Sequence, residues 1–353
     1  MNREIVAGIV GCGNIARFHC AGLEKAGARV AMVCDLVADK TKEFAGRFAA
    51  KPTDDWRRVV DNPDINLVVV TTISSLHKEI CLAAIAAGKA VVCEKTLTEN
   101  AEDSLEVVKA ATTAATPFYT SYMKRFIPAV IKARELMPSL GRIVSAQVRT
   151  HQPWGALWQE NPADGFFHTP ADGHSLLRKT TGGGILVCGG SHMLDLILFL
   201  FGRPQWLCAD FHVPPGRDYD LRASAIMGSD NTIVHFEALA HPLERIGFQA
   251  DGWDERIEIN GTGGRLEILS AKWDEPEKAS MLVHTGNGSE AATDYRFDPV
   301  SPFEKAQEFF CANIAEWRQG EQSCLTGYEV DELISHIMRS SETRERIDIK
   351  WRV

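Results

Sequence analysis

Residues 5–16 read Ile5-Val6-Ala7-Gly8-Ile9-Val10-Gly11-Cys12-Gly13-Asn14-Ile15-Ala16. A short β-branched run ends in a G-x-G-x-x-A turn that opens a helical pattern. Gly11 permits the tight turn, Gly13 lets the backbone approach a pyrophosphate at the helix N-terminus, and Ala16 keeps the helix close to the strand. Asp35 ends the next apolar run, about 20 residues on, where a carboxylate accepts hydrogen bonds from both ribose hydroxyls. These features together predict a dinucleotide site with Gly11, Gly13, Asn14, Ile15 and Asp35 as cofactor-binding residues. An acid at 35 followed by Leu36, with no Arg or Ser beside it, argues for NAD over NADP, and Lys40 keeps NADP as the second choice.

Outward from this turn, short β-branched runs alternate with helical patterns through the first third of the chain. Strands are expected at Ile5 to Val10, Val30 to Cys34, Leu67 to Thr71, Ala90 to Cys93 and Phe118 to Thr120, and helices at about 14–27, 38–49, 54–60, 75–87 and 101–114. This is the pattern of βαβ units, and near-continuous runs such as Asn66-Leu67-Val68-Val69-Val70 are those of strands covered on both faces. The fold class is therefore α/β, with a doubly wound parallel sheet over residues 1–121.

The pattern changes after 121. Longer strand candidates follow at Arg142 to Thr150, Gln205 to His212, Leu221 to Met227, Thr232 to Ala240, Arg256 to Asn260 and Arg265 to Leu269, with turn residues at 228–231 and 261–264 at hairpin spacing. With helices expected at about 184–201, 303–318 and 328–340, residues 122–353 read as an α+β domain with a large, open, mostly antiparallel sheet. The open face needs cover, which a homodimer or homotetramer packed sheet to sheet supplies. No internal repeat or low-complexity linker interrupts the chain.

The composition agrees with two globular domains in 353 residues. Hydrophobic residues are 45% and charged residues 24%, which excludes disordered and fibrous classes. The net charge is 38 − 47 = −9 and the bases are scattered, so nucleic acid is not expected as a partner. Nine cysteines without a C-x-x-C pair read as reduced thiols of a cytoplasmic protein. The longest apolar stretch, Ile185 to Phe201, carries His192 and Asp195 and is too short for a membrane span. Neither His168 and His174 nor any cysteine cluster has zinc spacing, so no metal is expected.

Three further segments carry chemistry. Val92-Cys93-Glu94-Lys95-Thr96 puts a charged pair directly after an apolar strand, where open α/β sheets present residues to ligand. There the Lys95 ammonium can hydrogen-bond a substrate oxygen and stabilise developing alkoxide; a solvated Glu-Lys loop is the alternative. The second segment, Gly182-Gly183-Gly184 through Asp195, opens an apolar helix on glycines. It places Cys188, His192 and Asp195 on roughly one face, either as functional groups or as a core histidine with its hydrogen-bond partner. The third, residues 152–178, mixes Trp154, Trp158, Phe166 and Phe167 with His168, Asp172 and His174. Aromatic and polar side chains together suit a sugar, and an oligomer-contact loop is the alternative.

These residues resemble the glucose-fructose oxidoreductase, inositol dehydrogenase and MocA family of NAD(P)-dependent sugar and cyclitol dehydrogenases, whose N-terminal domain is a Rossmann fold. The likeness runs through Gly11, Gly13 and Ala16, through residues 71–95, through Lys124-Arg125-Phe126-Ile127-Pro128, and through Gly182 to Gly184, Gly190, His192 and Asp195. It implies that Lys95 is the catalytic lysine. It also implies that His192 removes a hydroxyl proton and that Thr72, Glu94 and Lys95 lie against the cofactor, as does His77 unless it is a helix-start residue near solvent. With Cys188 at the place of the family's aspartate, either Asp195 or Asp172 completes the catalytic set, or the substrate is held differently, or hydride transfer is weak. The residues expected to hold substrate are Arg125, Trp154, His168, Asp172 and Cys188.

Two departures are small: Thr96 stands for the proline of the family's E-K-P, and Thr71-Thr72-Ile73-Ser74 stands for its A-T-P-N loop. The third is larger, because Cys188 occupies the place of an aspartate that helps position substrate. The family likeness implies a dehydrogenase or ketoreductase acting on a sugar, sugar derivative or cyclitol. Its rivals are an NAD-dependent glycoside hydrolase of the same superfamily and a catalytically silent sensor of sugar and dinucleotide.

Overall fold

The β-branched runs of the first third become a parallel sheet. A computed structural model of the chain describes residues 3–158, 183–217, 219–229, 232–275 and 277–353. It divides into two units, Met1–Met123 with Pro302–Glu332, and Lys124–Ser301 with Leu333–Val353.

In the first unit the strands are β1 (Val6–Val10), β2 (Arg29–Cys34), β3 (Lys51–Thr53), β4 (Leu67–Val70), β5 (Ala90–Cys93) and β6 (Phe118–Thr120). They lie in the order β3-β2-β1-β4-β5-β6, the doubly wound order, and every pair is parallel. The helices between them are α1 (Asn14–Lys25), α2 (Ala38–Phe48), α3 (Arg57–Val60), α4 (His77–Ala86) and α5 (Ala101–Thr113). All residues of β1, β4 and β5 are buried, as continuous apolar runs require. Strand β3 was not among the expected strands. It is three residues long and contains Pro52, which a sheet accepts only at an edge, and β3 is the edge strand.

Among the described residues the second unit has nine strands: β7 (Ile143–Gln152), β8 (Trp206–His212), β9 (Arg222–Ser229), β10 (Thr232–Ala240), β11 (Asp254–Gly261), β12 (Gly264–Ser270), β13 (Met281–Gly286), β14 (Thr293–Arg296) and β15 (Ile347–Asp348). Their order is β14-β13-β12-β11-β7-β10-β9-β8-β15. Among the described residues of this sheet only β7 and β10 run parallel, at the centre. Along β7, Ala146, Val148, Thr150 and Gln152 are buried while the residues between them are not, the period-2 pattern of a sheet covered on one side. Helices α6 (Pro128–Leu136) and α7 (Ser191–Phe201) pack on it, α6 against β12 and β13 and α7 against β7. The less buried side is laced by ion pairs between neighbouring strands, among them Arg149 with Asp254 at 2.7 Å and Arg222 with Asp210 at 2.8 Å.

One expectation changes: in place of a single regular helix at 184–201, residues 186–190 form a wider π-type turn before α7 begins. Residues 302–332 cluster with the first unit. They hold α8 (Pro302–Ala315) and the start of α9 (Cys324–Thr343). The reason is apolar: Phe303, Ala306, Phe310 and Ile314 of α8 are buried, Phe303 stacks on Phe18 of α1 at 5.4 Å, and Phe310 stacks on Tyr119 of β6 at 4.5 Å. Among the described residues no helix is long and apolar enough to cross a membrane.

Candidate active site

The carboxyl ends of β1, β4 and β5 lie side by side, since Val10 is in register with Val70 and Val70 with Cys93. Gly11 follows β1 with φ +100. A Cβ there would stand 2.6 Å from the Thr71 carbonyl oxygen, so both conformation and space demand glycine. Helix α1 begins at Asn14 with Gly13 as its N-cap, no side-chain cap and no acid in its first turn. Helix α5 of the same unit contrasts with it: Asn100 accepts the Asp103 N–H, and Glu102 and Asp103 fill the first turn. The amides of α1 are thus left for an external anion, and a Cβ on Gly13 would meet no atom within 4 Å. Asn14 is exposed and Ile15 half-buried at this helix start.

Asp35 closes the other side of the turn. Its Oδ2 accepts the Cys12 N–H at 2.8 Å and its Oδ1 the Val37 N–H at 2.9 Å. These bonds aim the carboxylate and leave each oxygen a second lone pair for a ribose hydroxyl. Leu36 beside it is 85% exposed. The residues therefore fit a dinucleotide whose pyrophosphate lies on α1 and whose ribose meets Asp35.

Lys95 lies two residues past the end of β5 at the same sheet edge, half-buried; β5 is the strand next but one to β1, about 10 Å along the sheet. The peptide bond between Lys95 and Thr96 is cis. Glu94 is buried; its Oε2 accepts the Lys95 backbone N–H at 3.2 Å and its Oε1 lies 2.8 Å from Nε2 of His19. Burial pushes the Glu94 pKa up, but the hydrogen bond from His19 and the charge of Lys95 outweigh it, and the net shift is downward. Thr72, expected against the cofactor, is half-buried in the loop after β4.

His77 was also expected there, yet it is 1% exposed and enclosed by backbone. Its Nδ1 faces the Thr96 and Leu97 carbonyls at 2.9 and 3.2 Å, and its Nε2 faces the Thr72 carbonyl at 3.1 Å. The ring bridges the loops after β4 and β5. Burial lowers its pKa, although the carbonyls favour the cation.

In the second unit, Arg125 and Asp195 belong to each other. Arg125 Nε donates to Oδ1 and Oδ2 at 3.0 and 2.9 Å, and Nη2 donates to Oδ1 at 2.7 Å, with Asp195 fully buried. The neighbouring Lys124 pairs equally deeply with Glu255, which also accepts the Thr150 hydroxyl at 2.8 Å. His192, at the second residue of α7, is 8% exposed, and Cys188 in the π-type turn is half-buried. That turn alters the rotation between positions 188 and 192, so the one-face argument, which assumes a regular helix, does not carry over unchanged.

Trp154 is 9% exposed and opens the turn that continues to Trp158. The indole N–H of Trp158 donates to the Ala240 carbonyl at 2.7 Å. His168 and Asp172, expected to contact substrate, lie outside the described residues.

Sequence reasoning missed His19, Gln307, Asp220 and Asp331. His19 carried a weak signal: it falls with Ala16, Cys20 and Leu23 on the buried face of α1, where an imidazole needs a partner. The others are known only once distant segments meet. Among the described residues no group of three or more His, Cys, Asp or Glu is placed to hold a metal ion.

A family model described as an oxidoreductase family with an NAD-binding Rossmann fold matches residues 5–122, and a GFO/IDH/MocA C-terminal domain model matches residues 130–267. Similar curated proteins include a levoglucosan dehydrogenase of Pseudarthrobacter phenanthrenivorans, 29% identical over 48% of this chain and 42% of that protein. An inositol 2-dehydrogenase of Saccharopolyspora erythraea is 33% identical over 38% of this chain and 40% of that protein. The matched stretch thus spans about two fifths of the length of these two relatives. A 1,5-anhydro-D-fructose reductase of Ensifer adhaerens is 25% identical over 87% of both chains. Among solved structures, a levoglucosan dehydrogenase in complex with NADH and levoglucosan superposes with a TM-score of 0.84 at 20% identity, covering 99% of this chain and 100% of that one. At this identity the likeness shows the fold.

Proposed function

Because the chain belongs to the GFO/IDH/MocA family of oxidoreductases with an NAD-binding Rossmann fold, we propose that it is an NAD-dependent dehydrogenase or ketoreductase acting on a secondary hydroxyl or ketone of a sugar, sugar derivative or cyclitol. The observation that carries this reading is Lys95, set at the carboxyl end of β5 on the same sheet edge as the Gly11 turn and Asp35. The named activities of the levoglucosan, inositol and anhydrofructose relatives support the substrate class.

NAD, when bound, supplies the nicotinamide that accepts hydride from the carbinol carbon. Gly11, Gly13, Asn14 and Ile15 would hold its phosphates and Asp35 its ribose. Thr72 and Glu94 would be further contacts to it, with His77 bridging the loops that carry Thr72 and Thr96. The Lys95 ammonium donates a hydrogen bond to the reacting oxygen and steadies the alkoxide, and the His192 imidazole takes the hydroxyl proton. Asp195 acts as a positioning residue through its ion pair with Arg125. Cys188, Trp154, His168 and Asp172 are assigned to substrate contact.

The nine free cysteines support residence in a reducing compartment such as the cytoplasm. The half-covered nine-stranded sheet supports self-association through that face.

The test is a panel of sugars, cyclitols and glycosides offered with NAD and with NADP, following reduced nicotinamide by absorbance. NADH accumulating with a sugar or cyclitol is expected. Free sugar released from a glycoside without net NADH points instead to hydrolysis, and no turnover with dinucleotide bound points to a sensor.

A further inference from the structure

We propose that His19 is a positioning residue for Lys95, acting through Glu94; the inference rests on the dehydrogenase reading of Lys95. His19 lies in α1, the helix whose first amides are left for the dinucleotide phosphates, and its side chain is fully buried. Its Nε2 stands 2.8 Å from Glu94 Oε1. A carboxylate only accepts, so the proton is on Nε2. In the neutral ring Nδ1 is then an acceptor, and it lies 2.9 Å from Nε2 of Gln307, an amide N–H donor on α8 that is itself fully buried. Phe303, one turn earlier on α8, meets the imidazole edge to face at 5.3 Å.

The ring is thus held by two directional bonds and an aromatic wall. Glu94 turns its remaining oxygen to the Lys95 backbone N–H. The chain of donors runs from Gln307 to His19 to Glu94, and Glu94 in turn fixes the peptide from which the lysine side chain departs. Its consequence is that the cofactor-binding helix and the lysine loop are set by one buried contact.

Without His19, Glu94 Oε1 loses its imidazole donor inside the protein, and the carboxylate must rotate or take a proton. Either change releases the Lys95 peptide. A misplacement of about 1 Å at a reacting group costs on the order of 100-fold in rate.

His19→Leu removes both bonds at similar volume, and His19→Gln keeps an N–H donor. Two readouts are needed. The first is kcat and KM for NAD, separately, with the best substrate of the panel. The second is the rate at which Lys95 is trapped by pyridoxal phosphate and borohydride, located by peptide mass spectrometry, which needs no turnover.

His19→Leu is expected to lower kcat about 10- to 100-fold with KM for NAD within about threefold, and to change Lys95 trapping about threefold or more; His19→Gln recovers part of both. Folded His19→Leu with wild-type kcat and trapping overturns the proposal, as does an equal fall in both variants. Should His19→Leu not fold, Gln307→Leu decides: a smaller fall in the same direction supports the proposal, and wild-type values overturn it. If the wild type turns over no sugar or cyclitol, the dehydrogenase reading fails, while a change in trapping still sustains the positioning and unchanged trapping still overturns it.

Discussion

Asp220 Oδ2 accepts the Leu186 backbone N–H at 2.9 Å, which puts a buried carboxylate at the start of the segment that carries Cys188 and His192. A Cβ on Gly184 would stand 2.1 Å from the Asp220 backbone oxygen and 2.3 Å from its Oδ1, so Gly184 lets the chain approach residue 220 this closely. Burial pushes the Asp220 pKa up to about 7, against smaller downward pulls from backbone hydrogen bonds. Asp331 is the counterpart in the first unit. Burial pushes it up to about 8, while its Oδ2 accepts the Ser104 hydroxyl at 2.6 Å and the Thr98 N–H at 3.2 Å.

The unfolded chain releases both protons near pH 4, and the folded chain keeps them to about 7 and about 8. Between those limits the folded state binds more protons, so stability is highest below the unfolded value and falls as pH rises. Asp220→Asn and Asp331→Asn should each flatten this fall, Asp220→Asn by at most ~4 kcal/mol. Thermal denaturation from pH 5 to 8 checks it, and a wild-type slope in both variants excludes the assignment.

The Arg125–Asp195 pair predicts an asymmetric double-mutant cycle. Both partners are at least nine-tenths buried, and the guanidinium also lies over the Phe199 ring at 4.7 Å. Arg125→Met should destabilise by ~3–5 kcal/mol, because an ionised carboxylate is left buried without its cation. Arg125→Met with Asp195→Leu should cost less than Arg125→Met alone. Denaturant unfolding of the single and double variants measures the cycle, and additive losses would remove the pair from the account.

The dinucleotide turn was legible because its chemistry is local: Gly11, Gly13 and Ala16 lie within six residues, and β-branched runs announce the strands beside them. The place of Lys95 at the end of β5 was legible for the same reason, since the Glu94-Lys95 pair directly follows Val91-Val92-Cys93. What escaped was set by distant partners. The bond from Gln307 to His19 spans 288 positions and that from Ser104 to Asp331 spans 227; no periodicity encodes them. Asp195 was read with His192, three residues away, while the partner that holds it is Arg125, seventy positions back. The π-type turn at 186–190 was hidden for a different reason: the glycines there fit a regular helix start equally well.

Asp35→Ala should raise KM for NAD about tenfold or more while leaving kcat at saturating NAD within about threefold. The carboxylate does two things, accepting the Cys12 and Val37 amides and meeting the ribose, so Asp35→Asn, which retains an acceptor oxygen, should fall between. Initial rates against both dinucleotides settle this. A wild type that works with NADP as well as with NAD would mean that Asp35 does not discriminate.

Lys95→Ala should lower kcat by about 10²- to 10⁴-fold with dinucleotide affinity close to wild type, since Gly11, Gly13 and Asp35 are untouched. Binding by tryptophan fluorescence quenching and turnover on the same preparation separate the two effects. Lys95→Arg keeps the charge but not the compact ammonium geometry and should recover little. Turnover within twofold of wild type in Lys95→Ala would mean that the reacting oxygen is stabilised elsewhere.

Cys188→Asp tests the largest departure from the family pattern. The thiol is half-buried, with Sγ 3.8 Å from the Gly183 carbonyl oxygen, and stands where the family pattern has an aspartate. An aspartate of similar volume fits the site, although the Gly183 carbonyl repels its charge and sets a modest stability cost. If position 188 contacts substrate, the new carboxylate accepts hydrogen bonds from cyclitol hydroxyls and lies near His192 in the chain. Activity on cyclitols should then be kept or raised, seen as kcat/KM at or above wild type, while sugars that the thiol admits should lose ground. A folded Cys188→Asp protein inactive on every substrate of the panel would show that the neutral thiol serves a purpose of its own, and that this chain reads its substrate differently from relatives with the acid.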